Sequence, residues 1–124
     1  MKRKILIVED NVGLSQIQKD WLSQAGYEAV TAMNEPIARS LIRKTQFDLI
    51  LSDVRLPEGD GISLLEWLRK EKKDIPFIIT TEYVSVPDVV RTIKLGARDY
   101  LPKPVHRDYL LELAEDIFLS LIHI

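Results

Sequence analysis

Two adjacent acids, Glu9 and Asp10, close an apolar run from Ile5 to Val8. Another acid, Asp53, closes the run Leu49-Ile50-Leu51-Ser52. Thr81 ends the run that starts at Pro76, and Lys103 follows a short run ending at Leu101. If these runs are parallel strands of one sheet, their carboxyl ends share a rim, and the charged and hydroxyl side chains meet there. Two carboxylates about 5 Å apart repel by roughly 3 kcal/mol at an effective dielectric of about 20, so the cluster is costly unless a cation fills it. The donors are hard oxygens, the chain has no cysteine, and no histidine lies near them in sequence. That donor set favours Mg2+, which takes carboxylates, water and phosphoryl oxygens. An aspartate can attack phosphorus and form an aspartyl phosphate. A metal and a lysine would neutralise charge on the transferring group, and a threonine hydroxyl could donate to a phosphoryl oxygen. Each residue alone also has an ordinary reading. Asp10 could cap a helix starting at Val12, Asp53 could be a turn residue, Lys103 a solvated loop lysine and Thr81 a plain strand residue. Their joint placement at the strand ends is what points to a Mg2+ and phosphate site.

The elements that must position these residues alternate. Lys4 to Val8 reads as a buried strand, and Val12 to Ala25 as a helix with Leu14, Ile17, Trp21 and Leu22 apolar, ended by Gly26. Tyr27 to Ala32 is strand-like. Asn34 can cap a second helix, with Pro36 in its first turn and Ile37, Leu41 and Ile42 beyond. Phe47 to Ser52 is a third strand, followed by the turn-forming stretch Arg55 to Gly61 and a helix from Ile62 to Lys72. Pro76 to Thr81 is the fourth strand, Pro87 to Leu95 a helix capped by Ser85 and stopped by Gly96, Arg98 to Leu101 the fifth strand, and Arg107 to about Leu121 the last helix. Strands alternating with helices imply an α/β fold, a parallel sheet covered on both faces. Right-handed crossovers leave few topologies, and the flavodoxin-like order 2-1-3-4-5 is the common one for a doubly wound (βα)5 sheet. In that order the ligand crevice lies between strands 1 and 3, where Glu9, Asp10 and Asp53 sit.

The chain's 124 residues, 46% hydrophobic and 29% charged, suit one globular domain. The lack of cysteine excludes disulfides and thiolate chemistry and fits a reducing compartment. The apolar run after the basic start is too short for a signal peptide, and no stretch is long enough for a membrane span, so the expected location is cytoplasmic. A net charge of −2 carries no nucleic-acid footprint. The dense basic stretch Arg69-Lys70-Glu71-Lys72-Lys73 reads as the solvated last turn of a helix, where cations suit the dipole.

Four segments, in order and at the right spacing, resemble the receiver domain of two-component response regulators over nearly the whole chain. They are Lys4-Ile5-Leu6-Ile7-Val8-Glu9-Asp10-Asn11, Leu49 to Gly61 around Asp53, Pro76-Phe77-Ile78-Ile79-Thr80-Thr81, and Leu95 to Pro104 with Lys103. The resemblance implies a switch rather than a turnover enzyme. Asp53 would accept a phosphoryl group from a phosphohistidine on a sensor histidine kinase. Asp10 would ligate Mg2+ directly, Glu9 through water, and Arg55 through its backbone carbonyl. Thr81 would be the switch hydroxyl, Tyr100 the switch aromatic and Lys103 the phosphate counterion, with a cis bond between Lys103 and Pro104. Phosphorylation would draw Thr81 inward, open space for Tyr100, and change the face made by the fourth helix, fifth strand and fifth helix. The Arg55 position and the Asp99 to Pro104 run look most like receivers of AAA+ transcription activators.

Some positions depart from the family pattern. Glu82 stands where a small residue usually follows the switch threonine, so it either crowds the phosphate or points into solvent. Thr80 is a rival for Thr81, disfavoured by spacing to Lys103 and by strand alternation. Val105 replaces a frequent phenylalanine. On the last helix Leu110, Leu113, Ala114, Ile117 and Leu121 share a face, while Leu111, Phe118 and Ile122 lie off it. Those extra apolar residues suggest a homodimer, or the start near residues 118–124 of a linker helix to an output domain, which the ending Leu121-Ile122-His123-Ile124 favours. Three other readings compete. A degenerate interaction module would rest on Glu82 alone. An aspartate phosphatase needs an acid where Arg55 stands, and a flavin carrier would need a phosphate-cradling loop where Glu9 and Asp10 stand.

Overall fold

A computed structural model describes residues 2–122. Five strands, β1 (Lys4–Val8), β2 (Glu28–Ala32), β3 (Leu49–Asp53), β4 (Phe77–Thr81) and β5 (Asp99–Pro102), alternate with α1 (Val12–Gln24), α2 (Glu35–Lys44), α3 (Gly61–Lys70), α4 (Val86–Lys94) and α5 (Arg107–Ser120). All strand pairs are parallel, in the order β2-β1-β3-β4-β5. This is the doubly wound sheet expected from the alternation, and each element falls within a few residues of its predicted bounds. Residues 123 and 124, part of the expected linker segment, lie outside the described residues. Among the described residues no helix is long and apolar enough to cross a membrane.

Four helices begin on a side chain that accepts a hydrogen bond from an otherwise unpaired amide. Asn11 accepts from Leu14 at 2.9 Å, Asn34 from Ile37 at 2.9 Å, Asp60 from Ser63 at 2.6 Å and Ser85 from Asp88 at 3.4 Å. Each such cap contributes about 1 kcal/mol. Asn11, not Asp10, caps α1, which leaves the Asp10 carboxylate out of the helix.

The sheet divides the interior into two apolar layers. On one side Ile5, Ile7, Leu49, Leu51 and Ile78 meet Leu22 of α1 and Leu110, Ala114, Ile117 and Phe118 of α5. On the other, Leu6, Val8, Ile50, Phe77 and Ile79 meet Ala38 and Ile42 of α2 and Leu64, Leu65 and Leu68 of α3. A fully buried leucine or isoleucine of this kind contributes about 2 kcal/mol, so both layers hold the strand ends in fixed register. In β3 and β4 that register sets Asp53 beside Thr80.

The structure corrects three expectations. The buried residues of α1 are Ser15, Gln18 and Leu22, whereas Ile17 is 48% and Val12 71% exposed. The helix is turned toward its polar positions, and part of its apolar stripe faces outward. Phe118 is not spare: it is buried, its ring lies 5.3 Å from Tyr27, and the Arg3 guanidinium sits 5.0 Å from it. Arg69 is not simply solvated. It donates to the carbonyls of Leu95, Lys73 and Ile75 at 2.7, 2.9 and 3.1 Å, tying the end of α3 to the turns around it.

Candidate functional site

β1 and β3 run side by side, so the residues at their carboxyl ends converge. One carboxylate oxygen each from Glu9, Asp10 and Asp53 lie within 4.8 Å of one another. Glu9 and Asp53 are buried and Asp10 is exposed. The Glu9 amide donates to the Ala32 carbonyl at 2.9 Å, which holds the end of β1 beside β2. Lys103 comes in from the loop after β5. Its amide donates to the Thr81 carbonyl at 2.7 Å, and the Lys103–Pro104 peptide is cis. The ammonium donates to Glu9 Oε1 at 2.7 Å and to Asp53 Oδ2 at 2.8 Å.

The repulsion expected among the acids is therefore partly offset by the protein itself. One ammonium faces three carboxylates, so a local excess of negative charge remains. Burial pushes the Glu9 carboxyl above its ordinary value, against the opposing pull of the Lys103 hydrogen bond and the Asn11 amide. For Lys103, burial works against the charge, but the hydrogen bonds to Asp53 and Glu9 outweigh it and hold the pKa above that of an ordinary lysine.

The donor set fits a hard divalent cation and ranks the ligands. Both Glu9 oxygens already accept protein hydrogen bonds, Oε1 from Lys103 at 2.7 Å and Oε2 from the Asn11 amide at 3.1 Å. Asp53 Oδ1 has only a long contact, 3.4 Å, from the Arg55 amide. Asp10 is open to solvent. Asp10 and Asp53 Oδ1 thus carry the least engaged oxygens of the cluster, whereas both oxygens of Glu9 are already taken. Mg2+ at ten times its Kd should stabilise the fold by about 1.4 kcal/mol, measured as a rise in the denaturation midpoint. Asp53→Asn should raise metal-free stability and shrink that Mg2+ response. No response of the wild type to millimolar Mg2+ would count against the acidic site.

A shallow depression beside Asp53 is walled by Asp10, Arg55, Pro57, Glu82 and Tyr83. The Arg55 guanidinium lies 4.8 Å above the Tyr83 ring and closes one side. Glu82 is exposed at the mouth, so it is both solvated and close enough to add negative charge where an anion would approach. Thr81 does not reach the carboxylates. Its hydroxyl donates to the Tyr83 carbonyl at 3.0 Å and accepts from the Tyr83 amide at 3.1 Å. Tyr100 packs against the layer formed by α2 and α3, and its buried hydroxyl has no partner among the described residues. Thr80 is equally buried on the opposite face of β4.

Gly61 is a site residue that sequence reasoning passed over. A Cβ there would run into the carbonyl oxygen of Asp53 and lie 2.8 Å from Ser52 Oγ. The Gly61 amide also donates to the Val54 carbonyl at 2.9 Å. The available signal was the Asp60-Gly61 pair, which reads as an ordinary turn former until the close approach is seen.

Comparison with known proteins agrees with this geometry. The family model described as the response regulator receiver domain matches residues 5–115. The chain is 33% identical over 112 residues to the response regulator protein PilR of Pseudomonas aeruginosa, covering 90% of this chain and 25% of that protein. It is 39% identical over 114 residues to the transcriptional regulatory protein ZraR of Salmonella typhimurium, covering 92% of this chain and 26% of that protein. The chain thus spans about a quarter of the length of these regulators. A CheY-like receiver domain from Methanospirillum hungatei superposes with a TM-score of 0.92 at 30% identity, covering 100% of both chains. The non-phosphorylated HemR receiver domain from Leptospira biflexa superposes with a TM-score of 0.87 at 37% identity, covering 94% of each.

Proposed function

The chain belongs to the response-regulator receiver family, and from that premise we propose that it is a phosphorylation switch whose acceptor is Asp53. The observation that carries this reading is the Asp53 carboxylate itself. It is buried at a strand end, gripped on Oδ2 by Lys103, and left on Oδ1 with only a long contact from the Arg55 amide, beside Asp10.

The Asp53 carboxylate attacks the phosphorus of a phosphohistidine on a sensor histidine kinase. The P–O bond forms as the P–N bond breaks, and the imidazole leaves with the electron pair. Lys103 neutralises charge on the transferred group. Mg2+ held by Asp10, Asp53, the Arg55 carbonyl and, through water, Glu9 would add positive charge beside the phosphoryl oxygens. Thr81 then exchanges its bond to the Tyr83 carbonyl for one to a phosphoryl oxygen. That movement changes the packing of Tyr100 and the face made by α4, β5 and α5. The phosphoryl group acts because it binds one arrangement of Thr81 better than the other. The outlet is an output domain or partner that controls transcription in the cytoplasm, as the similarity to PilR and ZraR suggests. A homodimer through the last helix is a further reading, motivated by the exposed Leu119, Leu121 and Ile122.

Intact mass after incubation with acetyl phosphate and Mg2+ tests the proposal. One phosphoryl adduct is expected on the wild type, none on Asp53→Ala, and none when Mg2+ is withheld. No adduct on the wild type, together with no binding of a beryllium fluoride mimic, would sink it.

A further inference from the structure

Glu35 opens α2, far along the chain from Asp53, yet it is buried and its carboxylate points into the loop between β3 and α3. Its Oε1 accepts from the Asp60 amide at 3.0 Å, and its Oε2 accepts from the Ser63 hydroxyl at 3.2 Å. Its own amide donates to the Glu58 carbonyl at 3.1 Å. The loop is thus held from both sides of one residue. Gly59 has a φ of 78°, and a side chain there would collide with Glu35, so the loop closes tightly over the carboxylate. Arg39, one turn further along α2, pairs with Glu35 through its Nε and Nη2. The Arg39 and Arg43 guanidiniums in turn lie 5.0 and 5.2 Å from the Trp67 ring, which fixes Arg39 against α3.

The residues that Glu35 holds lead directly to the metal position. Asp60 pairs with Arg55 in an isolated antiparallel bridge, and the Gly61 amide is bonded to Val54. We infer that Glu35 is a positioning residue for the Mg2+ site: its carboxylate clamps the Asp60 backbone, and the bridge from Asp60 fixes where the Arg55 carbonyl points. This inference rests on the proposed ligand role of Arg55. A buried carboxylate that accepts several hydrogen bonds orients backbone as outer-shell groups do in other metal sites, where their loss weakens binding by about tenfold or more.

The test uses the whole chain and compares Glu35→Ala, Glu35→Asp and Glu35→Gln with the wild type. The control is Ile42→Val, which loosens the same helix from the core without touching the loop. Mg2+ affinity is read by calorimetry, and exchange of the Asp60 and Gly61 amides is read without metal. Glu35→Ala should weaken Mg2+ by about tenfold and speed exchange at both amides. Glu35→Asp keeps the charge but withdraws it by one methylene and should move both readouts the same way, which covers the case of an alanine variant that does not fold. Glu35→Gln retains an acceptor for Asp60 and should recover much of both. Ile42→Val should leave Mg2+ affinity unchanged. Wild-type Mg2+ affinity in Glu35→Ala or Glu35→Asp, or unchanged protection at Gly61, would overturn the inference. Failure of the wild type to bind Mg2+ would instead overturn the proposed function, while Gly61 exchange would still decide whether Glu35 sets the loop.

Discussion

Lys103→Met should lower metal-free stability at neutral pH by about 3 kcal/mol, the scale for removing one partner of a buried ion pair. The Lys103 side chain is 10% exposed, and its partners Glu9 and Asp53 are 3% and 10% exposed, so water cannot replace the ammonium without rearrangement. The effect should depend on pH in a definite direction. Glu9 has a raised pKa in the fold. Its contribution is therefore fully present below its unfolded pKa and is lost as pH rises through the folded one. Removing Lys103 takes away a group that lowers that pKa, so the variant should regain stability relative to the wild type as pH falls and Glu9 protonates. Lys103 itself, also raised, contributes stability below the unfolded lysine pKa that is lost as pH climbs through its folded value. The gap between the two proteins should be widest near neutrality and narrow at both extremes. Urea denaturation at several pH values in a chelating buffer measures it. Equal stability at pH 7 would mean that the ammonium does not offset the carboxylates.

Gly61→Ala should cost about 2–3 kcal/mol, the upper part of the usual range for overpacking. The obstacle is the backbone carbonyl of Asp53, not the mobile tip of a side chain, so relief requires the end of β3 or the start of α3 to shift. A shift of the end of β3 moves Asp53 against Lys103. Phosphoryl uptake from acetyl phosphate should therefore fall by more than the loss of folded protein explains. Uptake that tracks the folded fraction alone would show that the close approach matters only for packing.

The fold was legible because its signals are local and repeated. Buried strands such as Ile5 to Val8 stand out as short apolar runs, Asn34 and Ser85 mark helix starts, and Gly96 marks a stop with a φ of 81°. The convergence of Glu9, Asp10 and Asp53 followed from strand order, since β1 and β3 are neighbours. What escaped reading depends on contacts distant in sequence. Ser15 and Gln18 are buried because α5 and the sheet fix how α1 is turned, which hydrophobic periodicity within α1 does not encode. In the sequence Glu35 is only an acid in the first turn of a helix; its buried contacts depend on the loop between β3 and α3 folding over it. The bond between Thr81 and the Tyr83 backbone was equally hidden, because the residue types suggest a hydroxyl waiting for phosphate rather than one already engaged.

The order of the sheet leaves β2 and β5 as its outer strands, and neither is a good template for a foreign strand. β5 has four residues, begins with Asp99 and ends in Pro102, which has no amide to donate. β2 has five residues and exposes Glu28 and Thr31. Short, charged or proline-ended edges resist strand addition and edge-to-edge aggregation. Whatever docks on this domain must then read side chains on helices and loops, not extend the sheet. Recognition by side chains can differ between similar domains at single positions, whereas backbone pairing would be nearly the same for all of them. Blunt edges thus let many copies of one fold coexist in a cell without cross-pairing, and they leave discrimination among partners to surfaces that substitutions can change without disturbing the sheet.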